Sequence, residues 1–432
     1  MLDRTFHADH VRRRIRGNPI GAILERFIEH LVQCGYRRGT VHQYVFAAEH
    51  FGRWLGRGKL THESIRQFLS KHLPSCRCAK PAVGNINCVR ATLNRLREML
   101  KIPVVSTGAR SDPGTFSAQL LSSYQHHMSD VRGLAQATIH FRLGNAAAAL
   151  AMFEARSAAD IRALRPGDVT AFIRERIRGR SIGGSQVVTS ATRSFLRFLL
   201  MRGLLTRDLA GVVLSPANWR AAVLPKVVDR GDLEKLVRTC RAGCQRDLAV
   251  ERRDRAILLC LIDLGLRASD VAALRVEGVD VAGNALRLCR PKQRSTVVVP
   301  MTQRLSVAVQ SYLRESRPTS KPDSGSRSEH VFITHRAPVG RAMTASGIRN
   351  VVRRRAVQAG LKDKIGGTHV IRHSVACTML GSGASLKQIA DLLGHRSIDT
   401  TSIYAKVDLG SLTRVAMPWP DLRGVHQREV TQ

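Results

Sequence analysis

Positive charge constrains this chain before any pattern does. Lysine and arginine number 69 against 33 aspartates and glutamates, a formal net charge of +36 spread along the whole length rather than gathered in a tail. A compact fold with that much self-repulsion calls for a polyanion to neutralise it, and duplex DNA or RNA is the leading candidate. A solvated basic face or arginine-rich codon usage would give the same composition, so charge names a class of partner and no reaction. Aromatic residues are only 5% of the chain, which argues against binding built mainly on base stacking. Hydrophobic residues, at 44%, exclude a wholly disordered protein. No apolar run would span a bilayer, and the basic N-terminus has no apolar signal region. A cytoplasmic, nucleoid-associated protein with no membrane partner is expected.

A length of 432 residues exceeds what one core usually organises. Three blocks are expected, over 1–105, 115–213 and 226–432, separated by "PVVSTGARSDPGT" and "LSPANWRAAVLPKVV". The first two read as all-α. Amphipathic periodicity marks "AILERFIEHLVQCG", "GTVHQYVFAAEHFGRWLGR" and "NCVRATLNRLREML" in the first, and "FSAQLLSSYQHHMSDV", "ATIHFRLGNAAAALAMFEARS", "RPGDVTAFIRERIRG" and "SQVVTSATRSFLRFLLMRG" in the second. The two blocks share a pattern at an offset near one domain length. Thr40-Val41-His42 answers to Thr138-Ile139-His140, Ile65 and Phe68 to Val169 and Phe172, and Ala91-Thr92 with Leu96-Arg97 to Ala191-Thr192 with Leu196-Arg197. A duplicated domain would give this pattern, although amphipathic helices reuse the same spacings.

The third block is mixed. "DRAILLCLIDLGL" is apolar nearly all round and should be a buried helix. Ser269 and Asp270 can cap the short helix after it. "VDVAGNALRLCRPKQRSTVVVPM" reads as three short strands turning at Ala282–Asn284 and Pro291–Arg294. Helices then return, one capped by Thr368 and one capped by Ser385 and stopped by Gly394. The fold class is therefore mainly α, with a small antiparallel sheet in the C-terminal block. Nine cysteines in so long a chain do not form a disulfide framework. His72, Cys76, Cys78 and Cys88 cluster in sequence, but Cys-x-Cys is tighter than usual zinc-ligand spacing. A loop with free thiols is the reading that spacing favours, with a structural zinc as the alternative.

Four separated pieces of the third block carry ionisable groups. Arg267 follows the buried helix and Lys292 lies on a strand–strand turn. His369 and Arg372, three apart, share a helix face. His395 follows a glycine-stopped helix, and Tyr404 comes shortly after it. Singly, each has a bland explanation: a solvated arginine, a hairpin lysine, a packed tyrosine. Together they make a site for a phosphodiester, whose pentacovalent transition state gathers negative charge that fixed cations stabilise. Arginine suits that task because its planar fork bonds two phosphate oxygens at once. No Asp/Glu cluster nearby suggests a two-metal nuclease.

"LGLRASDVAALR", "HVIRHSVACTML", "LLGHRSIDTTSIYAKV" and "LPKVVDRGDLEKLV" closely resemble the tyrosine recombinase, or phage integrase, family across the third block. The second block resembles that family's helical core-binding domain. The resemblance implies that Arg267 and Arg372 hold the scissile phosphate. It implies that His369 opens the His-x-x-Arg pattern, that His395 fills the final His/Trp position, and that Asp270 supports. Lys292 falls at the strand-turn lysine, although "RPKQRST" departs from the common glycine-rich turn and Arg294 is a near neighbour. Tyr404 would attack phosphorus to give a 3′-phosphotyrosyl link, with His369 assisting and Lys292 protonating the leaving 5′-oxygen. His373 is read as structural.

The function this implies is that of a site-specific DNA recombinase serving integration or transposition of a mobile element. It would need no ATP or divalent metal, and would act as a homo-oligomer, a tetramer on paired double-stranded DNA sites. Two rivals remain: a type IB topoisomerase-like relaxase, and a catalytically inactive DNA-binding accessory subunit.

Overall fold

The computed structural model describes residues 1–78, 85–102, 115–217, 226–240, 248–290, 295–318, 328–394, 401, 403 and 404. These cluster into two compact units. One comprises Met1–Lys59, Gln67–Leu100 and Val223–Gln432, the other Leu60–Arg66 and Lys101–Ala222.

In the first unit, the N-terminal block is built on α1 (Gly21–Gln33), α2 (Arg38–Leu55) and α3 (Ile86–Met99). Their apolar stripes meet through Leu24, Phe27, Val45, Phe51, Leu93 and Leu96, all fully buried. One charge is buried with them. Glu49 of α2 takes a forked pair of bonds from Arg14, at 2.7 and 3.2 Å, which satisfies both carboxylate oxygens. A π-helical turn, Phe68–His72, leads away from the short helix His62–Gln67.

The second unit carries α4 (Phe116–His126), α5 (Gln136–Met152), α6 (Pro166–Ile177) and α7 (Ile182–Met201). Pro166 opens α6 where no helical N–H is needed, and the Ser181 hydroxyl caps α7 by accepting from Gly184. Tyr124, Ile139, Phe172, Phe195 and Leu196 form its core. Thr40-Val41-His42 and Thr138-Ile139-His140 each occupy the third to fifth positions of their helices, and the matched pairs Val41/Ile139, Phe68/Phe172 and Leu96/Leu196 are all buried.

The rest of the first unit is centred on α8 (Leu248–Asp263), whose Ala256–Leu261 stretch is buried on every side. Buried Asp254 of α8 accepts from Nη2 of Arg253 and of Arg355, each at 2.8 Å, and from Arg354. This fixes α8 against α10 (Ala345–Gln358), since a charge removed from water must be paired. Between them come α9 (Ala268–Ala273) and a three-stranded antiparallel sheet, β1 (Val279–Asp280), β2 (Ala285–Arg290) and β3 (Ser295–Pro300), in the order β1-β2-β3. The three expected strands are present. The first turn closes through Asp280 Oδ1, which accepts from Gly283 at 2.8 Å, with Asn284 at φ +49°. The expected second turn, Pro291–Arg294, lies outside the described residues.

The last described helices are α11 (Thr368–Gly381) and α12 (Leu386–Leu393). Ser385 caps α12 with Gln388 in a reciprocal box, and Gly394 ends it at φ +64°. Two expected caps shift. Thr368 is the first residue of α11, with Gly367 at the cap position, so its hydroxyl does not cap. Asp270 lies in the first turn of α9, one turn after its cap Arg267 rather than before it.

Candidate active site

The site is organised by the chain leaving α8. Gly265 adopts φ +58°, and a Cβ there would come within 2.8 Å of Leu393 and 3.2 Å of Val375. Only glycine supplies both the left-handed turn and the close approach. Two residues on, Arg267 emerges half-buried at the start of α9, its backbone N–H donating to Asp270 Oδ2 at 3.3 Å. Asp270 is itself buried and also accepts from the Ser269 hydroxyl at 3.3 Å. The supporting carboxylate thus acts on the backbone that presents Arg267.

Arg372 comes from α11 and is 5% exposed. Its Nη1 donates to the Gly265 carbonyl at 2.7 Å and its Nη2 to the Leu393 carbonyl at 2.5 Å. Arg267 Nη2 donates to the next carbonyl, Gly394, at 2.9 Å. The two arginines, 105 positions apart in sequence (372 − 267), therefore grip adjacent carbonyls at the end of α12. Those carbonyls are orphans of the helix end and need donors.

Tyr404 is 1% exposed and packs with Ala376, Ile389 and Leu393 between α11 and α12. Its hydroxyl lies 3.0 Å from Nδ1 of His373. Burial pushes the phenol above its ordinary value of about 10, while the Arg372 and Arg267 cations work the other way. Burial, with the neighbouring His369 and Arg372, pulls the His373 ring below its ordinary value. These surroundings disfavour the charged form of the His373 ring.

Arg267, Asp270, Arg372 and Tyr404 are brought together as the sequence suggests. His369 is exposed in the first turn of α11. Lys292 and His395 lie outside the described residues; Arg290 pairs with Ser295 as the last rung of β2 and β3, and Gly394 immediately precedes the histidine in sequence. His373, read from sequence as structural, makes a contact with the Tyr404 hydroxyl that the sequence did not announce. Its signal was the four-residue step from His369, which puts both imidazoles on one helix face. Burial then separates them.

Comparison with known proteins decides the family. Residues 226–410 match the model described as the phage integrase family. Over 425 residues the chain is 31% identical to the putative integrase/recombinase y4rA of Sinorhizobium fredii, covering 96% of this chain and 98% of that protein. The chain belongs to the phage integrase family. It is also 34% identical to tyrosine recombinase XerC of Roseiflexus castenholzii over 246 residues, 56% of this chain and 74% of that protein. In fold it resembles the crystal structure of XerH site-specific recombinase bound to a palindromic difH substrate, with a TM-score of 0.52 and 18% identity over 84% of this chain and 97% of that one. This tyrosine recombinase is thus an enzyme of site-specific DNA strand breakage and rejoining. The mostly helical fold with one small antiparallel sheet agrees with the class expected from sequence. Among the described residues, no helix is long and apolar enough to cross a membrane.

Proposed function

We propose that Tyr404 is the nucleophile of this tyrosine recombinase, held ready by His373 and aimed at a phosphate gripped by Arg267 and Arg372. The observation that carries this is the 3.0 Å contact between the Tyr404 hydroxyl and His373 Nδ1, beside two arginines fixed to the same helix end. In the Nε2–H tautomer, Nδ1 accepts the phenol proton as the oxygen attacks phosphorus. The P–Oη bond forms, the P–O5′ bond breaks, and Lys292 gives its proton to the leaving 5′-oxygen. His395 hydrogen-bonds the transition-state oxygens, and His369 completes the positive field. The phosphotyrosyl link conserves the bond energy, so the reaction as proposed requires no ATP. A 5′-hydroxyl of a partner duplex then reverses the step on a new strand.

The partner is double-stranded DNA, and the active form is a homo-oligomer, with four protomers on two paired sites. Two observations favour the DNA partner. The XerH recombinase similar in fold is bound to its difH substrate. In the second unit, Arg132, Arg142, Arg193 and Arg197 line a cavity of about 550 Å³ together with His127 and Ser194, a density of cations suited to phosphate backbone. A role in mobile-element integration or transposition is favoured by likeness to y4rA along nearly the whole chain, whereas the XerC match spans little more than half of it. On this reading the N-terminal block is a duplicated core-binding fold that lengthens the DNA footprint.

The test uses nicked suicide duplexes built from the ends of the DNA element that encodes the protein. A covalent protein–DNA adduct with a free 5′-hydroxyl is expected. Its absence on every such end would leave a DNA-binding accessory role. Efficient relaxation of a supercoiled plasmid lacking those ends would instead mark a topoisomerase.

A further inference from the structure

The N-terminal block holds a cluster that recombination chemistry does not use. His50, His72, Cys76 and Cys78 each bring one ligand atom to within 4.8 Å of the others. His50 Nε2 lies 3.3 Å from His72 Nε2 and 3.3 Å from Cys76 Sγ, and Cys78 Sγ lies 3.5 Å from His72 Nε2. We propose that these four side chains form a structural zinc site.

The distances are the first argument. Tetrahedral zinc, with bonds of about 2.0–2.1 Å to nitrogen and about 2.3 Å to sulfur, sets its ligands about 3.4 Å apart for two nitrogens and about 3.6 Å for nitrogen and sulfur. The observed separations are close to those edges. Hydrogen bonding does not account for them equally well. An imidazole nitrogen offers one proton or one lone pair, yet His50 Nε2 is approached by His72 and Cys76 at the same distance. One central cation satisfies all of these groups together.

The surroundings are the second argument. His50 is 1% exposed on α2, and its Nδ1 has no hydrogen-bond partner among the described residues, so only the cluster engages its polar atoms there. Phe68, fully buried, stands 5.1 Å by ring centroid from both His50 and His72 and sets their orientation. The π-helical turn Phe68–His72 carries His72 to α2, and such turns recur at functional positions. The Cys78 backbone N–H donates to Cys76 Sγ at 3.4 Å, a bond that favours a thiolate there. Two imidazoles and two thiolates suit zinc, and four protein ligands close the site to substrate. The grouping corrects the sequence expectation. Cys88 is not in the cluster; His50, remote in sequence, takes its place.

The test uses the full chain, purified without a histidine tag in reducing buffer. Elemental mass spectrometry should find one zinc per chain, and replacement by cobalt should give the visible absorption of a tetrahedral thiolate site. Cys76→Ser should weaken zinc binding on the order of 100-fold or more, while Cys88→Ser should keep one zinc per chain. Should Cys76→Ser fail to fold, the cobalt spectrum of the wild-type chain decides alone. A folded wild-type chain that holds no zinc and gives no such spectrum overturns the proposal. So does equal zinc loss in Cys88→Ser, or a Cys76–Cys78 disulfide in the reduced preparation.

Discussion

The Tyr404 hydroxyl meets His373 Nδ1 at 3.0 Å, with the two residues 31 positions apart and the histidine next to Arg372 in sequence. A buried phenol resists ionisation, so the group that takes its proton matters to the rate. In the mechanism proposed above, that acceptor is His373, on the same helix as Arg372, one of the two arginines proposed to hold the phosphate.

Replacing Tyr404 by Phe keeps the ring in its apolar niche and removes only the hydroxyl proposed as the nucleophile. DNA affinity in a gel-shift titration should stay within about twofold of wild type, because a phosphate-contact surface is untouched. The covalent adduct on suicide duplexes should vanish. An adduct formed by the Phe variant would place the nucleophile elsewhere.

Replacing His373 by Gln should slow single-turnover cleavage by about 10²-fold, the usual worth of a positioned acid or base, with DNA affinity unchanged. The pH profile gives a second readout. His373 titrates below its ordinary value of about 6.5. It is neutral and competent above its folded pKa, and cleavage should fall as pH drops through that lower value. Stability has the same sign. Between the folded value and about 6.5 the unfolded chain binds a proton that the folded chain does not, so lowering the pH through this window destabilises the fold. An acid limb unaltered in His373→Gln would remove this residue from the step.

Arg372→Ala should lower cleavage by about 10³-fold and also cost about 2–4 kcal/mol of stability. The second effect arises because the carbonyls of Gly265 and Leu393 lose their donors in a buried setting. Urea denaturation and single-turnover kinetics on the same preparation separate the two. A variant as stable as wild type would contradict the bonding described.

Gly265→Ala tests the turn that presents Arg267. A left-handed φ and the approach to Leu393 and Val375 together should cost about 1–3 kcal/mol. Cleavage should fall with it, although the methyl lies on neither arginine. A neutral result in denaturation would mean the turn is looser than its geometry.

Much of this site was legible in the sequence because its members sit at punctuated places. Arg267 follows a helix that is apolar all round, Gly394 stops a capped helix, and His369-x-x-Arg372 has helical spacing. The strands were readable from alternation and turn residues. The His373 contact was not, because sequence spacing gives the face of a helix but not which of two histidines on it is half-buried. His50, a member of the proposed zinc site, was missed for a different reason. Ligands held by one loop show as a cluster in sequence, whereas a ligand from a preceding helix is joined only by packing. The caps of α9 and α11 shifted by one to three residues because a hydroxyl or carboxylate beside a helix start fits several cap positions equally well.

Because Arg267 and Arg372 hold adjacent carbonyls of one helix end, neither has a private effect. Removing one frees the peptide beside the other's anchor at the end of α12. Losses from the two single substitutions should therefore not sum; the double variant should be only slightly worse than the poorer single one. On the mechanism proposed, the pair is one kinetic unit, and a figure assigned to either arginine alone would count the other's work twice.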